Sequence, residues 1–312
     1  SLRDDVSRSI GPRTTKELLG PVYAEIQESA ESGNSLVGVS TGFTDIDEIT
    51  LGLQKSDLII IAGRPSMGKS ALGFNIIENV AKQTDQTVLL FSMEMSSEQV
   101  IRRFIASISN IDIQRIMRGQ LKEADWEGID KALTILSKKN ILLDDTPALS
   151  PTEVRARARR VKRENPDLAL IVIDYIGLMQ VPGRGDNRVQ EVSEISRSLK
   201  ALAKELNVPI IGLSQLNRAV ESRPNKRPIL ADLRDSGAIE QDADVIAFVY
   251  RHEYYDESDL ESRGQAEINI AKQRNGPTKT TKLAFRREIA TFQNLAKSDR
   301  FPGQFYDENE DD

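Results

Sequence analysis

The segment GRPSMGKS, residues 63–70, has the glycine, lysine and hydroxyl spacing G-x-x-x-x-G-K-[ST] of a phosphate-binding loop. An apolar run at 58–62 precedes it and a helical pattern at 69–82 follows it, which is the context that the pattern requires. Backbone N–H groups of such a loop, together with the start of the helix, bind anionic phosphate. We expect Lys69 to reach the β- and γ-phosphates of a nucleotide and Ser70 to coordinate Mg²⁺. The predicted nucleotide-binding residues are Gly63, Arg64, Pro65, Ser66, Met67, Gly68, Lys69, Ser70 and Ala71.

Two acidic residues follow apolar runs that are typical of buried strands. Asp174, in IVIDY, ends the run at 170–173. Glu94, in FSMEMS, lies just past the run at 88–91. Because α/β sheets bind ligands at the carboxyl ends of their strands, we expect Asp174 to hold the metal ion with Ser70, and Glu94 to orient the water that attacks the phosphate. The alternatives are a surface or helix-capping role for Asp174, and for Glu94 an acidic residue that merely follows a strand.

The elements that must position these residues alternate along the chain. Continuous apolar runs predict strands buried on both faces at 58–62, 88–91, 168–173, 210–213 and 245–249. Helical patterns lie between them at 69–82, 97–109, 123–137, 152–164 and 188–206. This alternation predicts an α/β fold with a doubly wound, mostly parallel sheet. Past residue 265, AEINIAK and TKLAF, joined by KQRNGP, predict antiparallel edge strands.

The composition excludes several kinds of site. The 312-residue chain has no cysteine, which excludes disulfides and thiolate metal sites, and its single histidine, His252, argues against a histidine-based zinc site. No apolar run approaches the roughly 20 residues that span a bilayer, and the first residues lack a signal-peptide core, so we expect a cytoplasmic protein without a membrane partner. The net charge of −6 leaves nucleic-acid binding open, because a binding channel needs only a local positive lining.

Six segments together resemble the C-terminal ATPase domain of the bacterial replicative DNA helicases of the DnaB family. They are STGFTDIDEITLGLQKSDLIIIAGRPSMGKS, FSMEMS, IDY, LSQLNR, DLRDSGAIEQDAD and AKQRNGP, and the similarity covers roughly residues 36–295. LSQLNR and DLRDSGAIEQDAD separate this family from other RecA-like ATPases. The resemblance implies a RecA-like fold, ATP with Mg²⁺, a homo-hexamer that moves 5′ to 3′ on single-stranded DNA, and a primase and a helicase loader as partners. The family's N-terminal primase-interacting domain is absent from the sequence, so we interpret the chain as the motor portion.

The resemblance also implies roles for residues outside the phosphate loop. Gln215, in LSQLNR, would sense the nucleotide and relay its state towards the DNA-binding loops; the alternative is a polar cap at a strand end. Lys272 and Arg274, in AKQRNGP, would reach across a subunit interface to the neighbour's γ-phosphate, where a cation neutralises the charge of the transition state. The alternative for this pair is two solvated cations at a hairpin turn.

Three residues of DLRDSG resemble the family's DNA loop in the central channel: Arg234, Asp235 and Gly237. Asp235 stands where family members often have glutamate, so the chemistry is kept on a shorter arm. Gly177, after IDY-x, stands where the family often has glutamine, and Ser70 replaces a common threonine with another hydroxyl.

The chain is predicted to have three parts. Residues 1–35 are predicted to be a linker region with a short helix that has Pro21 in its first turn. This helix either packs on its own domain or, as the resemblance favours, docks on a neighbouring subunit. Residues 36–300 would be the RecA-like ATPase domain, and 301–312 a disordered acidic tail.

Aromatic residues make up only 5% of the chain and do not cluster with basic ones, which argues against base stacking and favours a grip on the sugar–phosphate backbone. The stretch 217–227 is a second candidate DNA loop, with a mobile solvated connection as the alternative. The basic run 155–163 is interpreted as a solvated or interface helix, because its arginines fall on several sides. A RecA-like recombinase and a nucleotide-gated scaffold remain the competing functions.

Overall fold

The computed structural model describes residues 12–32, 37–181 and 188–296. The chain divides into two compact units, residues 1–37 and 38–312. The predicted acidic tail, 301–312, lies outside the described residues.

The first unit contains the helix α1 (Thr15–Ser32). The prediction that Pro21 lies in the first turn is wrong, because Pro21 lies inside the helix. The helix begins earlier because Thr14 caps it: the Glu17 N–H donates to Thr14 Oγ1 (3.3 Å) and the Thr14 N–H donates to Glu17 Oε2 (3.1 Å). Its exposed large apolar side chains are Leu18, Leu19, Val22, Tyr23 and Ile26.

The second unit is built around one mixed sheet. Its strands in the described residues are β1 (Leu58–Gly63), β2 (Val88–Ser92), β3 (Ile141–Asp144), β4 (Leu170–Asp174), β5 (Ile210–Gln215), β6 (Val245–Tyr250), β7 (Gln265–Gln273), β8 (Lys279–Arg286) and β9 (Thr291–Asn294). They lie in the order β3-β2-β4-β5-β1-β6-β7-β8-β9. The first six strands pair in parallel, and β7, β8 and β9 add antiparallel pairs at one edge. The predicted mostly parallel sheet with antiparallel edge strands is therefore confirmed.

Among the described residues of this unit, one helix precedes β1, and the other helices lie between the parallel strands along the chain. They are α2 (Thr44–Thr50), α3 (Lys69–Gln83), α4 (Ser97–Ser109), α5 (Ile113–Met117), α6 (Glu123–Ser137), α7 (Pro151–Glu164), α8 (Arg188–Leu206) and α9 (Gly237–Asp242). Short 3₁₀ turns at Arg218–Ser222 and Leu230–Ser236 lie between β5 and α9. In the part of the chain that the structure describes, no helix has both the length and the hydropathy that a bilayer span needs.

The sheet has a hydrophobic core on each face, as a doubly wound fold requires. Along β1, Ile59 and Ile61 face one core while Leu58, Ile60 and Ala62 face the other, which is the two-residue period of a strand. Helices α3 and α4 cover the first face and α7, α8 and α9 the second. Burial on both faces explains why the sequence shows continuous apolar runs here.

Two strands are absent from the sequence prediction. The edge strand β3 is only half-buried along its length, and its four residues follow a lysine-rich helix end without a long apolar run. The strand β9 is also four residues long and ends exposed. Both form because an existing strand offers its free backbone edge, a tertiary effect that periodicity does not record.

We predict that replacing Glu78 with glutamine makes the stability of the domain less dependent on pH. Burial raises the pKa of Glu78 to about 7, against the opposing effects of Lys82 and Ser107. A carboxyl whose pKa is raised in the folded state contributes fully to the free energy of unfolding when the pH is below its pKa in the unfolded chain. That contribution is lost as the pH rises through the folded-state pKa of about 7. Wild type should therefore lose on the order of 2 kcal/mol in free energy of unfolding between pH 5 and pH 8 through this group. Glu78→Gln should not show this loss, because glutamine does not titrate.

The measurement is urea unfolding of both proteins at the two pH values, with Glu48→Gln as the control because Glu48 is exposed. An equal pH dependence in wild type and Glu78→Gln would contradict the prediction.

Candidate nucleotide site

The phosphate loop links the end of β1 to the start of α3. Gly68 has φ +100°, and a Cβ atom there would lie 2.9 Å from Phe292 Cζ, so glycine is required both by the backbone and by the packing. Ser66 also has a positive φ of 68°. Helix α3 begins at Lys69, so the N–H groups of its first turn point towards the loop. The sequence prediction of an anion-binding turn before a helix matches this geometry.

The side chains of Arg64 and Met67 fix the loop to the rest of the domain and do not face the phosphate-binding side. Arg64 is buried; its Nη1 donates to the Leu216 carbonyl oxygen (2.8 Å) and its Nε to Glu221 Oε1 (2.9 Å). Met67 is buried in the core. Arg251 Nη1 donates to the carbonyl oxygen of Ser66 (3.1 Å). The side chains of Arg64 and Met67 are therefore not available to a phosphate, and the Met67 N–H itself donates to the Arg64 carbonyl oxygen (3.2 Å).

The predicted catalytic side chains converge next to the loop. Lys69 Nζ lies 3.8 Å from Asp174 Oδ1, 3.9 Å from Glu94 Oε2 and 3.5 Å from Ser70 Oγ. Ser92 of β2 pairs with Asp174 of β4, which brings the carboxyl ends of the two strands together. The Asp174 side chain is 0% exposed whereas that of Glu94 is 52% exposed. Asp174 is thus the enclosed carboxylate and Glu94 the one that solvent reaches.

The environment of Asp174 fits a divalent cation. Among the described residues, neither carboxylate oxygen has a hydrogen-bond partner. Burial raises the pKa of Asp174, and the positive charge of Lys69 opposes this shift. No three acidic or histidine side chains converge within the described ranges. A hard cation held by Ser70 and Asp174 would therefore complete its shell with phosphate and water oxygens, as Mg²⁺ does in nucleotide sites.

Sequence reasoning missed two residues beside this site. The ring of Tyr175 lies 4.8 Å below Lys69 Nζ. A Cβ atom on Gly177 would lie 2.5 Å from Tyr175 Cε2, so the absence of a side chain at Gly177 makes room for that ring. Arg103 of α4 has a pKa lowered by burial, and the charges of Asp174 and Glu94 oppose that shift. Neither contact leaves a signal in the sequence, because the partners are distant along the chain or depend on ring orientation.

Gln215 lies where the sequence places it, at the end of β5 beside the phosphate loop. It pairs in register with Gly63, and its side chain is exposed. The Leu216 N–H donates to the Gly63 carbonyl oxygen (3.3 Å), and the Leu216 carbonyl oxygen accepts from Arg64. The start of the loop and the end of β5 are therefore tied together by the backbone pairing and by the Arg64 side chain.

Lys272 and Arg274 lie at the other end of the sheet. Strand β7 runs antiparallel to β6, and Lys272 pairs with Ile246 near the amino end of β6. Arg274 Nε lies 3.3 Å from Asp244 Oδ1, and Asp244 Oδ2 accepts from the N–H of Leu58, the first residue of β1. The length of β1, roughly 16 Å, separates that residue from Gly63. The pair therefore cannot reach the phosphate loop of its own chain.

Residues 38–294 match the family model described as the DnaB-like helicase C terminal domain. The chain belongs to this family. It is 53% identical over 275 residues to the replicative DNA helicase DnaB of Pasteurella multocida (strain Pm70), which covers 88% of this chain and 59% of that protein. It is 48% identical over 283 residues to the replicative DNA helicase DnaC of Bacillus subtilis (strain 168), covering 90% and 62%. The chain spans about three-fifths of the length of these relatives.

Solved structures of an ATPase domain and of a DnaB-like replicative helicase share its fold. One solved ATPase domain superimposes with a TM-score of 0.86 at 38% identity, over 92% of this chain and 100% of that one. A DnaB-like replicative helicase, described with its interactions with primase, gives a TM-score of 0.85 at 40% identity, over 91% of this chain and 69% of that one. The RecA-like fold is therefore confirmed.

The segments that the DnaB resemblance assigns to DNA differ in how much the structure describes. The backbone of Arg234 and Asp235 lies in the 3₁₀ turn Leu230–Ser236, and Gly237 begins α9. The side chains of Arg234 and Asp235 lie outside what the structure describes. In the second candidate loop, Arg223 pairs with Asp232 (2.8 Å) and Arg227 with Glu267 (2.7 Å). These two arginines form ion pairs within the domain and are therefore less available to DNA. The loop 232–238 is the stronger of the two candidate DNA-binding loops.

The basic run on α7 forms ion pairs with acidic side chains. Arg155 and Arg159 both pair with Glu205 of α8, at 2.8 Å and 2.6 Å, and Arg157 pairs with Asp144 at 2.7 Å. These contacts favour the interpretation of α7 as a solvated helix over a DNA-binding patch.

Proposed function

We propose that this DnaB-like chain is the motor domain of a replicative DNA helicase. ATP hydrolysis at subunit interfaces would drive 5′-to-3′ translocation on single-stranded DNA and unwinding of the duplex ahead. One observation carries the proposal: Lys272 and Arg274 lie at the opposite end of the sheet from the phosphate loop of the same chain. Two copies stacked head to tail in a ring would place this pair of one subunit against the phosphates held by the next.

The residues of one subunit would bind and activate the nucleotide. Backbone N–H groups of 63–71 and the ammonium of Lys69 hold the phosphates. Ser70 and Asp174 would hold Mg²⁺, which when bound neutralises charge on the phosphate oxygens. Glu94, which is close to Lys69 but half exposed, orients and deprotonates the attacking water. Gln215, which pairs in register with Gly63, would contact the γ-phosphate.

The neighbouring subunit would complete the site. Arg274 and Lys272 supply positive charge to the equatorial oxygens of the transferred phosphoryl group, which lowers the barrier only when a neighbour is present. Hydrolysis then weakens the seam and lets one subunit shift against the next. The loop that contains Arg234, Asp235 and Gly237 would carry the DNA backbone with that shift.

The proposed partners rest on the exposed side chains of α1, on the comparisons and on the family resemblance. The exposed apolar side chains of α1 support docking on a neighbouring subunit of a homo-hexamer. A primase partner is supported by the solved DnaB-like helicase that is described with its interactions with primase. A helicase loader, and a cytoplasmic location at the replication fork, follow from the family resemblance.

The test of the function is the unwinding of forked DNA. With ATP, assembled protein should separate a fork whose loading strand has a free 5′ tail and leave a fork with only a 3′ tail intact. Strand exchange between homologous duplexes without fork unwinding would favour a recombinase instead.

Replacing Glu94 with glutamine is predicted to reduce turnover about 100-fold or more, because the general base is lost. ATP binding should be retained, since the amide keeps the size of the carboxylate. The measurement is steady-state phosphate release beside nucleotide binding, with Glu98→Gln as the control because Glu98 is an exposed carboxylate on the neighbouring helix α4. Unchanged turnover in Glu94→Gln would favour a nucleotide-gated scaffold.

Replacing Arg234 with alanine is predicted to weaken single-strand binding equally for all sequences. A contact to phosphate contributes through counterion release, so the slope of log affinity against log salt should become shallower by about 1 per lost contact. Titration of three oligonucleotides of different composition at several salt concentrations measures this, with Arg160→Ala on α7 as the control. A loss confined to one sequence would contradict a grip on the backbone.

A further inference from the structure

The two proposed interface cations rest on the carbonyl end of α9 in this structure. Lys272 Nζ donates to the carbonyl oxygen of Ala243 (2.7 Å) and to that of Glu240. Arg274 Nη2 donates to the carbonyl oxygen of Gln241 (2.9 Å). The last carbonyl groups of a helix have no partner within the helix and carry a partial negative charge, so two cations satisfy them well.

Asp244, two residues past the end of α9, contacts Arg274 from a second side. Its carboxylate is 5% exposed, and Oδ1 lies 3.3 Å from Arg274 Nε. The Arg274 N–H also donates to the Asp244 carbonyl oxygen (3.1 Å). The guanidinium itself is half exposed. Arg274 is therefore held through its backbone N–H and through one side of its guanidinium, while about half of the side chain stays exposed to solvent.

Asp244 is in turn locked into the sheet. Its Oδ2 accepts from the Leu58 N–H (2.8 Å) and from Lys200 Nζ on α8. Lys200 also donates to the Ser56 carbonyl oxygen (2.8 Å) and lies 3.7 Å from Asp57 Oδ1. Burial, and then the charge of Asp244, raise the pKa of Asp57 to about 6. A carboxylate bound by a lysine, a backbone N–H and an arginine has little freedom to move.

We infer that Asp244 is a positioning residue for Arg274, and that the carbonyl end of α9 is the resting site of Lys272 and Arg274, which they leave for a neighbour's phosphates. This inference rests on the proposed function and deepens it. Helix α9 begins at Gly237, at the end of the proposed DNA loop. Transfer of the cations to a phosphate therefore removes two contacts from the carbonyl end of the helix whose other end carries that loop. A triphosphate at the seam is in this way linked to the DNA grip through one six-residue helix.

The first test compares Asp244→Asn with wild type in assembled rings. Asparagine keeps an acceptor for the Leu58 N–H but loses the charge that orients Arg274. We expect kcat to fall at least about 10-fold with an unchanged KM for ATP in Asp244→Asn, and the double variant Asp244→Asn/Arg274→Ala to have the same kcat as Arg274→Ala alone. Asp144→Asn is the matched control, because Asp144 pairs with Arg157 at the opposite edge of the sheet. Equal kcat losses in the two aspartate variants, or an additive loss with Arg274→Ala, would overturn the positioning role.

The second test needs no substitution in Asp244 and so survives if that variant fails to fold. Backbone hydrogen exchange is measured over residues 237–244 of assembled wild-type rings, with and without a non-hydrolysable ATP analogue. We expect exchange there to accelerate several-fold with the analogue, because the cations leave the helix end. A variant with Lys272→Met and Arg274→Met should exchange at the faster rate in both conditions. Exchange that is unchanged or slowed by the analogue in wild type would overturn the resting-site inference.

The two proposals fail in different ways. If Arg274→Ala kept full turnover, the subunit-interface mechanism itself would be wrong. Suppose instead that Arg274→Ala stopped turnover, that Asp244→Asn kept the wild-type kcat, and that the ATP analogue left hydrogen exchange of α9 unchanged. The subunit-interface mechanism would then stand, and only the role of Asp244 and α9 would be overturned.

Discussion

Replacing Lys69 with alanine is expected to abolish ATP hydrolysis. Lys69 is buried at the start of α3, with its ammonium between Asp174, Glu94 and Ser70. Without it, two carboxylates face the triphosphate with no fixed positive charge between them, and the transition state loses a preorganised partner in a water-poor site. We expect turnover to fall about 1000-fold or more.

The measurement is steady-state phosphate release at saturating ATP, beside nucleotide binding by fluorescence. Lys82→Ala is the matched control, because Lys82 lies on the same helix and its side chain is 44% exposed. Turnover in Lys69→Ala above about a tenth of the wild-type rate would mean that the phosphates bind elsewhere.

Replacing Arg274 with alanine is expected to stop turnover while ATP binding is kept. The residue lies next to Asp244 and the first residue of β1, away from the phosphate loop at the end of that strand. Its loss therefore leaves the nucleotide pocket of the same chain intact and removes a charge from the neighbour's site. Cations that act in this way on phosphoryl transfer contribute about 10³–10⁵ in rate.

Mixed rings separate action on the neighbour from action within the chain. Wild-type protein is mixed either with Lys69→Ala or with the double variant Lys69→Ala/Arg274→Ala. Neither variant hydrolyses ATP at its own nucleotide site. The single variant still offers Arg274 to a wild-type neighbour, so activity should follow the wild-type fraction. The double variant withholds it, so activity should fall as the square of that fraction. Identical curves for the two dopants would show that Arg274 serves only its own subunit.

Much of the site could be predicted because it lies where strands end. GRPSMGKS has a fixed spacing and stands between a strand and a helix, and Asp174, Glu94 and Gln215 each follow a continuous apolar run. The carboxyl ends of parallel strands lie at the same edge of the sheet, so these positions can be predicted to meet even when the order of the strands is unknown. The contacts of Lys69 with Asp174 and Glu94 are the result.

What could not be predicted depends on contacts between distant segments. The sequence placed Lys272 and Arg274 by resemblance alone, and only the antiparallel pairing of β7 with β6 puts them at the far end of the sheet. Their contacts with the last carbonyl groups of α9 and with Asp244 leave no local pattern in the sequence. Any cation that the fold brings near a carbonyl group can form such a hydrogen bond. Pro21 was misplaced for a different reason: the capping pair of Thr14 and Glu17 moved the helix start ahead of the apolar residues.

The most direct measurement is ATP turnover in assembly states separated by size and identified by native mass, each with and without single-stranded DNA. Hydrolysis should be confined to a six-subunit species and should be stimulated by oligonucleotides of any sequence. An isolated single chain that turns over ATP at the same rate, whether or not oligonucleotide is added, would contradict catalysis at a seam between subunits.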